Sequence, residues 1–128
     1  TQKWVRWIMR NKYGTGYDGL DGNDDGGTLS AWYVLSALGI YPMAGTDKYQ
    51  IGSPLFNQAE LNLRETKLRI IAENNSKNNV YINTLEFNGR SIKKHWLSHQ
   101  EIVSGGELKF TMTGKPISNR QNQQESLK

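Results

Sequence analysis

The sequence predicts an α+β fold, in which two N-terminal helices are followed by an antiparallel β-sheet of five or six strands. Apolar residues recur with a helical period before Pro42 and with a period of two after it. The chain has 128 residues, enough for one domain of ordinary size. A single α+β unit explains this order, and so does a junction between parts of two larger domains.

Residues 1–42 are predicted to be helical around an acidic, glycine-rich loop. The first helix should end near Tyr13 and Gly14, and Thr28 or Ser30 can cap a second helix that stops at Gly39. Four aromatic residues fall on the apolar stripes of these helices, where we expect core packing rather than stacking on a sugar. They are Trp4, Trp7, Trp32 and Tyr33.

Residues 43–117 are predicted to be rich in strands. Asn88-Gly89 is a two-residue hairpin signal. Ser98 and Glu101 have the spacing of a capping box, which predicts a short helical turn over residues 98–103. Alternating apolar residues mark the strands at Tyr49–Ile51, Ala59–Leu63, Leu68–Ala72, Val80–Phe87 and Leu108–Met112. The polar tail, residues 118–128, is predicted to be disordered.

Composition excludes several kinds of site. Without cysteine the chain can form neither disulfides nor thiolate metal sites. The net charge is +4, but the basic residues are scattered, which favours solvated surface charge over nucleic-acid binding. No apolar run approaches the ~20 residues that a membrane-spanning helix needs, so we expect no membrane span.

The stretch 17–27 concentrates the candidate chemistry. It holds four Asp and four Gly in eleven positions and leads directly into the apolar second helix. Crowded carboxylates need a cation, donated hydrogen bonds or a raised pKa. A loop of this composition is therefore the first place to look for a functional site.

Three interpretations of this loop differ in their chemistry. Asp21, Asn23 and Asp25 fit the start of an EF-hand, but loop position twelve is Trp32 where a bidentate Glu is required. We therefore exclude the EF-hand, while a calcium contact of another kind through some of the same oxygens stays open. Adjacent Asp24 and Asp25 could instead provide a general base for sugar hydrolysis. The third interpretation is structural, because Asp and Gly are common turn residues and Asp is favoured at helix N-termini.

The segment Gly22–Pro42 resembles the hallmark segment of the bacterial α-mannosidases of glycoside hydrolase family 92. It reads GNDDGGTLSAWYVLSALGIYP. The resemblance continues through Tyr49–Phe56 and reappears at Leu85–Gly89 and Gly105–Leu108, so that it covers roughly residues 4 to 117.

The resemblance implies an exo-acting, calcium-dependent, inverting α-mannosidase that hydrolyses mannose-containing glycans. Such enzymes combine a β-sandwich domain with an (α/α)6 barrel and hold the site between them. Residues 1–42 would then be the end of the barrel, and the partner of this chain would be the remainder of a longer polypeptide. We therefore expect this chain to be an inactive C-terminal part of a periplasmic or secreted enzyme.

The resemblance also implies roles for individual residues. In relatives that carry Gly-Asp-Glu-Asp at this place, the base candidates flank the Glu. That position favours Asp25 as base and leaves Asn23, which cannot ionise, at the other flank, so Asp24 is the second catalytic candidate. Asn23 and Asp25 are candidate calcium ligands, most of which would lie upstream.

The acid of the family is a Glu upstream of this segment, and none of the glutamates between positions 60 and 107 has a matching context. These are Glu60, Glu65, Glu73, Glu86, Glu101 and Glu107. The alternative function is a non-catalytic, β-rich carbohydrate- or protein-binding module in which the loop is only a turn. A calcium-binding structural domain is a third possibility.

Overall fold

The computed structural model describes residues 1–117, so the predicted disorder of residues 118–128 lies outside the described part of the chain. The described helices are α1 (Gln2–Asn11), α2 (Thr28–Leu38) and α3 (His99–Ser104), and a 3-10 turn, Asp25–Gly27, leads into α2. None of these helices has the length and apolarity needed to span a bilayer.

The strands of residues 1–117 form two sheets. The strands are β1 (Ile40–Pro42), β2 (Lys48–Ile51), β3 (Gln58–Asn62), β4 (Lys67–Glu73), β5 (Tyr81–Phe87), β6 (Arg90–Ser91), β7 (Trp96–Ser98) and β8 (Gly106–Thr113). The smaller sheet has the order β1-β2-β7 and is antiparallel. The larger sheet has the order β3-β4-β8-β5-β6.

The predicted α+β class, with helices before strands, is confirmed, but two details of the sheet differ. The strands are divided between two sheets rather than gathered into one of five or six strands. The larger sheet is also mixed, because β4 and β8 run parallel, with Leu68 opposite Gly106 and Glu73 opposite Thr111. Alternation shows which face of a strand is buried but not its direction, and the long connection from β4 to β8 permits parallel pairing.

Both sheets contribute to one core. Leu97 of β7 and Ile40 of β1 belong to the same buried cluster as Leu68, Leu108 and Phe110 of the larger sheet. Leu68, Leu97, Leu108 and Phe110 are fully shielded from solvent. The small sheet therefore packs on the large one rather than forming a separate unit.

Helix α1 is attached to the β-rich region by one polar face. Gln2, Arg6 and Arg10 are four residues apart and so lie on one side of the helix. All three bond to backbone groups of that region. Gln2 Oε1 accepts from Ile82 N at 2.9 Å, Arg6 donates to the carbonyls of Pro54 and Ser76, and Arg10 donates to that of Lys77 at 3.1 Å.

The expectation that Trp4 and Trp7 pack in the core is wrong for the described residues. Trp4 is 61% exposed and Trp7 is 45% exposed, and their rings meet edge to face at 6.1 Å. Periodicity locates an apolar stripe but not what covers it. On α1 the buried residues are Arg6 and Met9 instead.

The predicted turn chemistry is confirmed at two places. Asn88 and Gly89 both have positive φ, 51° and 76°, as a two-residue hairpin between β5 and β6 requires. At α3 the capping box is complete, because Glu101 N donates to Ser98 Oγ at 3.2 Å and Ser98 N donates to Glu101 Oε2 at 2.8 Å.

Candidate functional site

The acidic loop connects α1 to α2, and its first half closes on itself. Tyr13 and Leu20 form an isolated antiparallel bridge, and Gly14 N donates to Gly19 O at 2.9 Å. A Cβ atom at Gly19 would lie 2.3 Å from the carbonyl oxygen of Gly14. The tight approach therefore requires glycine, and it returns the chain to the start of α2.

Tyr13 packs against the first turns of α2, where the loop ends. Its ring stacks on Trp32 with a centroid distance of 5.7 Å and lies 4.9 Å from the ring of Tyr33. Its hydroxyl donates to the carbonyl oxygen of Leu29 at 2.9 Å. Burial, and then the negative charges of Asp24 and Asp21, raise the pKa of Tyr13, so this hydroxyl keeps its proton.

The carboxylate of Asp24 is bound to the first turn of α2. Asp24 Oδ1 accepts from Leu29 N at 2.8 Å and from Ser30 N at 3.0 Å, while Oδ2 accepts from the Ser30 hydroxyl. These bonds satisfy backbone donors that have no partner within the helix. The Ser30 hydroxyl, more than any other group, holds the pKa of Asp24 below its usual range.

Asp25, the next residue, is held differently. Its carbonyl oxygen accepts from the hydroxyl of Thr28. Its carboxylate is exposed and, among residues 1–117, accepts no hydrogen bond and forms no ion pair. Gly26 and Gly27 follow with φ of 62° and 76°, a left-handed turn that side chains disfavour.

The loop oxygens do not form a calcium site by themselves. Asp21 is paired with Lys12 at 2.8 Å, and both oxygens of Asp24 are used by α2. Asp18, Asn23 and Asp25 remain, whereas calcium takes 6–8 oxygen ligands. Nowhere in residues 1–117 do three or more His, Asp or Glu side chains gather closely enough to hold a metal ion.

Three of the glutamates have partners within the β-rich region. Glu60 pairs with Lys67 and Glu73 with Lys109, each at 3.0 Å, and Glu101 pairs with Lys94 at 2.8 Å. In Glu101 the bond from Lys94, followed by the one from Ser98 N, lowers the pKa of the carboxyl group. All three carboxylates thus already have a basic partner within the β-rich region.

A groove of about 370 Å³ runs beside the loop. Its walls include Tyr13, Leu20, Ser30, Tyr33 and Val34. The sequence analysis named Tyr13 only as the end of α1 and Ser30 only as a possible cap of α2, and so missed that both residues line this groove and fix the loop. The available signal was the pair formed by an Asp before a helix and a Ser in its first turn, which is typical of helix capping.

Known proteins resemble this chain in sequence. The family model of the glycosyl hydrolase family 92 catalytic domain matches residues 1–114. A protein of Arthroderma benhamiae described as an uncharacterized secreted glycosidase is 29% identical over 98 residues, which is 73% of this chain and 13% of the relative.

Solved structures of family 92 enzymes are similar to this chain in fold. A family 92 α-mannosidase from Bacteroides thetaiotaomicron superposes with a TM-score of 0.85 at 38% identity, covering 90% of this chain and 16% of that protein. A family 92 inverting mannosidase from the same organism superposes with a TM-score of 0.83, also at 38% identity and with the same coverage of both chains. This chain thus spans about one sixth of these relatives.

The family model covers nearly the whole described region, and the overall fold is shared with these relatives. The chain belongs to glycosyl hydrolase family 92.

Proposed function

We propose that this chain is part of an inverting exo-α-mannosidase that removes α-linked mannose from glycans, and that Asp25 is its general base. Family membership and the likeness to mannosidases support the reaction. The observation that carries the assignment of the base is the difference between two adjacent carboxylates. Both carboxylate oxygens of Asp24 accept hydrogen bonds from α2, whereas the carboxylate of Asp25 is exposed and has no partner in residues 1–117.

In such a reaction the base removes a proton from water while the water attacks the anomeric carbon. A separate acid protonates the leaving oxygen from the other face of the sugar, and the two carboxyl groups stand ~6.5–9.5 Å apart. Asp25 can accept that proton because its oxygens are not engaged. Asp24 fixes the position of Asp25 through the backbone of the 3-10 turn and the hydrogen bonds to α2.

The acid would be supplied by another part of the whole protein. Glu60, Glu73 and Glu101 are held in ion pairs on the β-rich region, which favours structural roles for them. We therefore propose that residues 1–128 alone do not hydrolyse α-mannosides.

Calcium dependence is proposed from the family resemblance and not from a complete ligand set. A carboxylate that binds a cation becomes less basic, so Asp25 cannot serve well as both ligand and base. Asn23, whose side-chain amide has no hydrogen bond within residues 1–117, is the better ligand. It would provide one of the several oxygen ligands, and the rest would come from elsewhere in the whole protein.

The assignment of the base is tested in the whole protein with an α-mannoside as substrate. Asp25→Asn should lower kcat by ~10²–10⁴-fold and leave the melting temperature unchanged. Asp18→Asn removes an exposed carboxylate from the same loop and is the matched control, with an expected change within twofold. If Asp25→Asn retained near-normal turnover, Asp25 would not be the base.

The stereochemical outcome and the metal are tested separately. Proton NMR of the first product formed should show β-mannose, and initial release of α-mannose would contradict inversion.

Chelation should abolish turnover and lower the melting temperature, and Asn23→Ala should reduce the rise in melting temperature that added calcium causes. Full activity and an unchanged melting curve in excess chelator would rule out the calcium proposal.

Secretion or export to the periplasm is the corresponding proposal for the compartment. It rests on the relative described as secreted. Detection of the native protein in the culture medium or periplasmic extract would support it, and exclusive recovery from the cytoplasm would contradict it.

A further inference from the structure

A second cleft lies between α1 and the segment that leads into β5. It has a volume of about 500 Å³, and none of the residues that line it is Asp or Glu. Four of them are basic: Lys3, Arg6, Arg10 and Lys77. It shares no residue with the acidic loop, so it is separate from the site proposed for hydrolysis.

The charge of this cleft is not balanced within the described chain. None of its four basic side chains forms an ion pair with a carboxylate of residues 1–117.

Arg6 makes the imbalance costly. The residue is 1% exposed, its Nη atoms donate to the carbonyls of Pro54 and Ser76, and its Nε atom has no hydrogen-bond partner. Burial, with a smaller contribution from Arg10, lowers the pKa of Arg6 to about 10. A buried cation without a counter-charge attracts an anion to its vicinity.

Two further lining residues narrow the chemistry of the anion. Trp7 is 45% exposed and lines the cleft, and the apolar C–H face of a pyranose packs well on an exposed aromatic ring. Asn78 adds an amide that can both donate to and accept from hydroxyl groups. Cations, an aromatic ring and an amide together suit a sugar that carries an acidic group.

We propose that the cleft between α1 and Lys77–Tyr81 is a binding site for an acidic sugar, one that bears a phosphate, sulfate or carboxylate group. The acidic group would lie among Lys3, Arg10 and Lys77, and the ring would lie against Trp7. The site is independent of the proposed hydrolysis, because no residue of the loop takes part in it.

Calorimetric titration of the whole protein tests this with probes that are not mannosides. Glucose 6-phosphate should bind, glucose should give no detectable heat, and inorganic phosphate, which lacks a ring to pack on Trp7, should bind at least roughly fivefold more weakly than the sugar phosphate. Affinity for glucose 6-phosphate should fall as salt is raised. Because no α-mannoside is used, the result does not depend on whether the protein is a mannosidase.

Charge-matched variants locate the site. Lys77→Gln and Lys3→Gln remove cleft cations and should each weaken binding at least roughly fivefold, since hydrogen bonds to charged groups are the strong ones. Arg64→Gln removes an exposed cation outside the cleft and should leave binding within twofold. Circular dichroism should show that all three variants fold.

Three results would overturn the proposal. The first is no binding of glucose 6-phosphate at low salt. The second is equal weakening by Arg64→Gln and Lys77→Gln, which would mean diffuse surface attraction. The third is inorganic phosphate binding as tightly as glucose 6-phosphate, which would mean that the sugar is not recognised.

Discussion

At Asp24 and Asp25, two adjacent carboxylates have different surroundings. Asp24 is held by the backbone and side chain of the first turn of α2, whereas Asp25 projects from a turn formed by Gly26 and Gly27. A carboxylate that is held in place orients its neighbour, and one that has no partner can accept a proton. Ser30, which binds Asp24 through both its amide and its hydroxyl, is accordingly a positioning residue for the proposed base.

Replacing Ser30 tests this positioning. Ser30→Ala removes the hydroxyl that contributes most to the lowered pKa of Asp24. We expect kcat of the whole protein on an α-mannoside to fall about tenfold with little change in KM, because the base is displaced while mannose binding is kept. Ser30→Thr should restore the rate. If the fall in kcat came with a lower melting temperature, and Ser30→Thr restored neither, the role of Ser30 would be merely structural.

The lowered pKa of Asp24 predicts how the stability of the fold changes as the pH falls. The folded-state pKa lies below the usual range of Asp, so the stabilisation is present at neutral pH and is lost as the pH falls through that lowered value. Asp24→Asn should therefore melt at a lower temperature than wild type at pH 7, and the difference should shrink as the solution becomes more acid. A difference that is constant with pH would contradict this assignment.

Among the elements, α3 shows most directly how local sequence determines structure. Its six residues are shorter than an isolated helix could sustain. The capping box of Ser98 and Glu101, and the ion pair of Glu101 with Lys94, hold its first turn. Buried Ile102 then fixes it to the core.

Removal of the cap should be measurable. Ser98→Ala is expected to lower the free energy of unfolding by about 1 kcal/mol, measured by urea denaturation. Ser91→Ala, on the exposed strand β6, is the control and should change it by less than about 0.5 kcal/mol. If the two variants were equally stable, the cap would contribute nothing to α3.

Prediction from sequence succeeded for elements whose signals are local. The turn at Asn88-Gly89 and the cap at Ser98 depend on neighbouring residues alone, and the structure contains both. The parallel pairing of β4 with β8, the separate small sheet and the exposure of Trp4 depend on distant contacts that periodicity does not encode. At the candidate site, composition was enough to single out the loop. The different roles proposed for Asp24 and Asp25 could be assigned only from the hydrogen bonds that the structure shows.

Across the whole molecule, Arg6 joins the helical and β-rich parts. Its guanidinium reaches two carbonyls that are far apart in sequence, those of Pro54 and Ser76. A planar group with several fixed donors can satisfy both at once, whereas an ammonium group on a lysine stem cannot do so in the same geometry. The orientation of α1, and with it the start of the acidic loop, depends on this contact.

Arg6→Lys should therefore destabilise the fold although the charge is kept. We expect a loss of about 2–3 kcal/mol in the free energy of unfolding, because a buried carbonyl loses its donor. Arg64→Lys, at an exposed position, should lie within about 0.5 kcal/mol of wild type. Urea denaturation measures both, and similar values for the two variants would mean that Arg6 does not join the parts.

The place of β8 in the larger sheet has a consequence for synthesis of the chain. β8 is the last strand of residues 1–117, yet it lies between β4 and β5 and supplies Leu108, Phe110 and Met112 to the core. A growing polypeptide on the ribosome thus exposes the edges of β4 and β5 until β8 emerges, and such edges invite pairing with other chains. Nascent chains that stop before Gly106 should depend on chaperones and aggregate, whereas chains that extend past Thr113 can close the sheet.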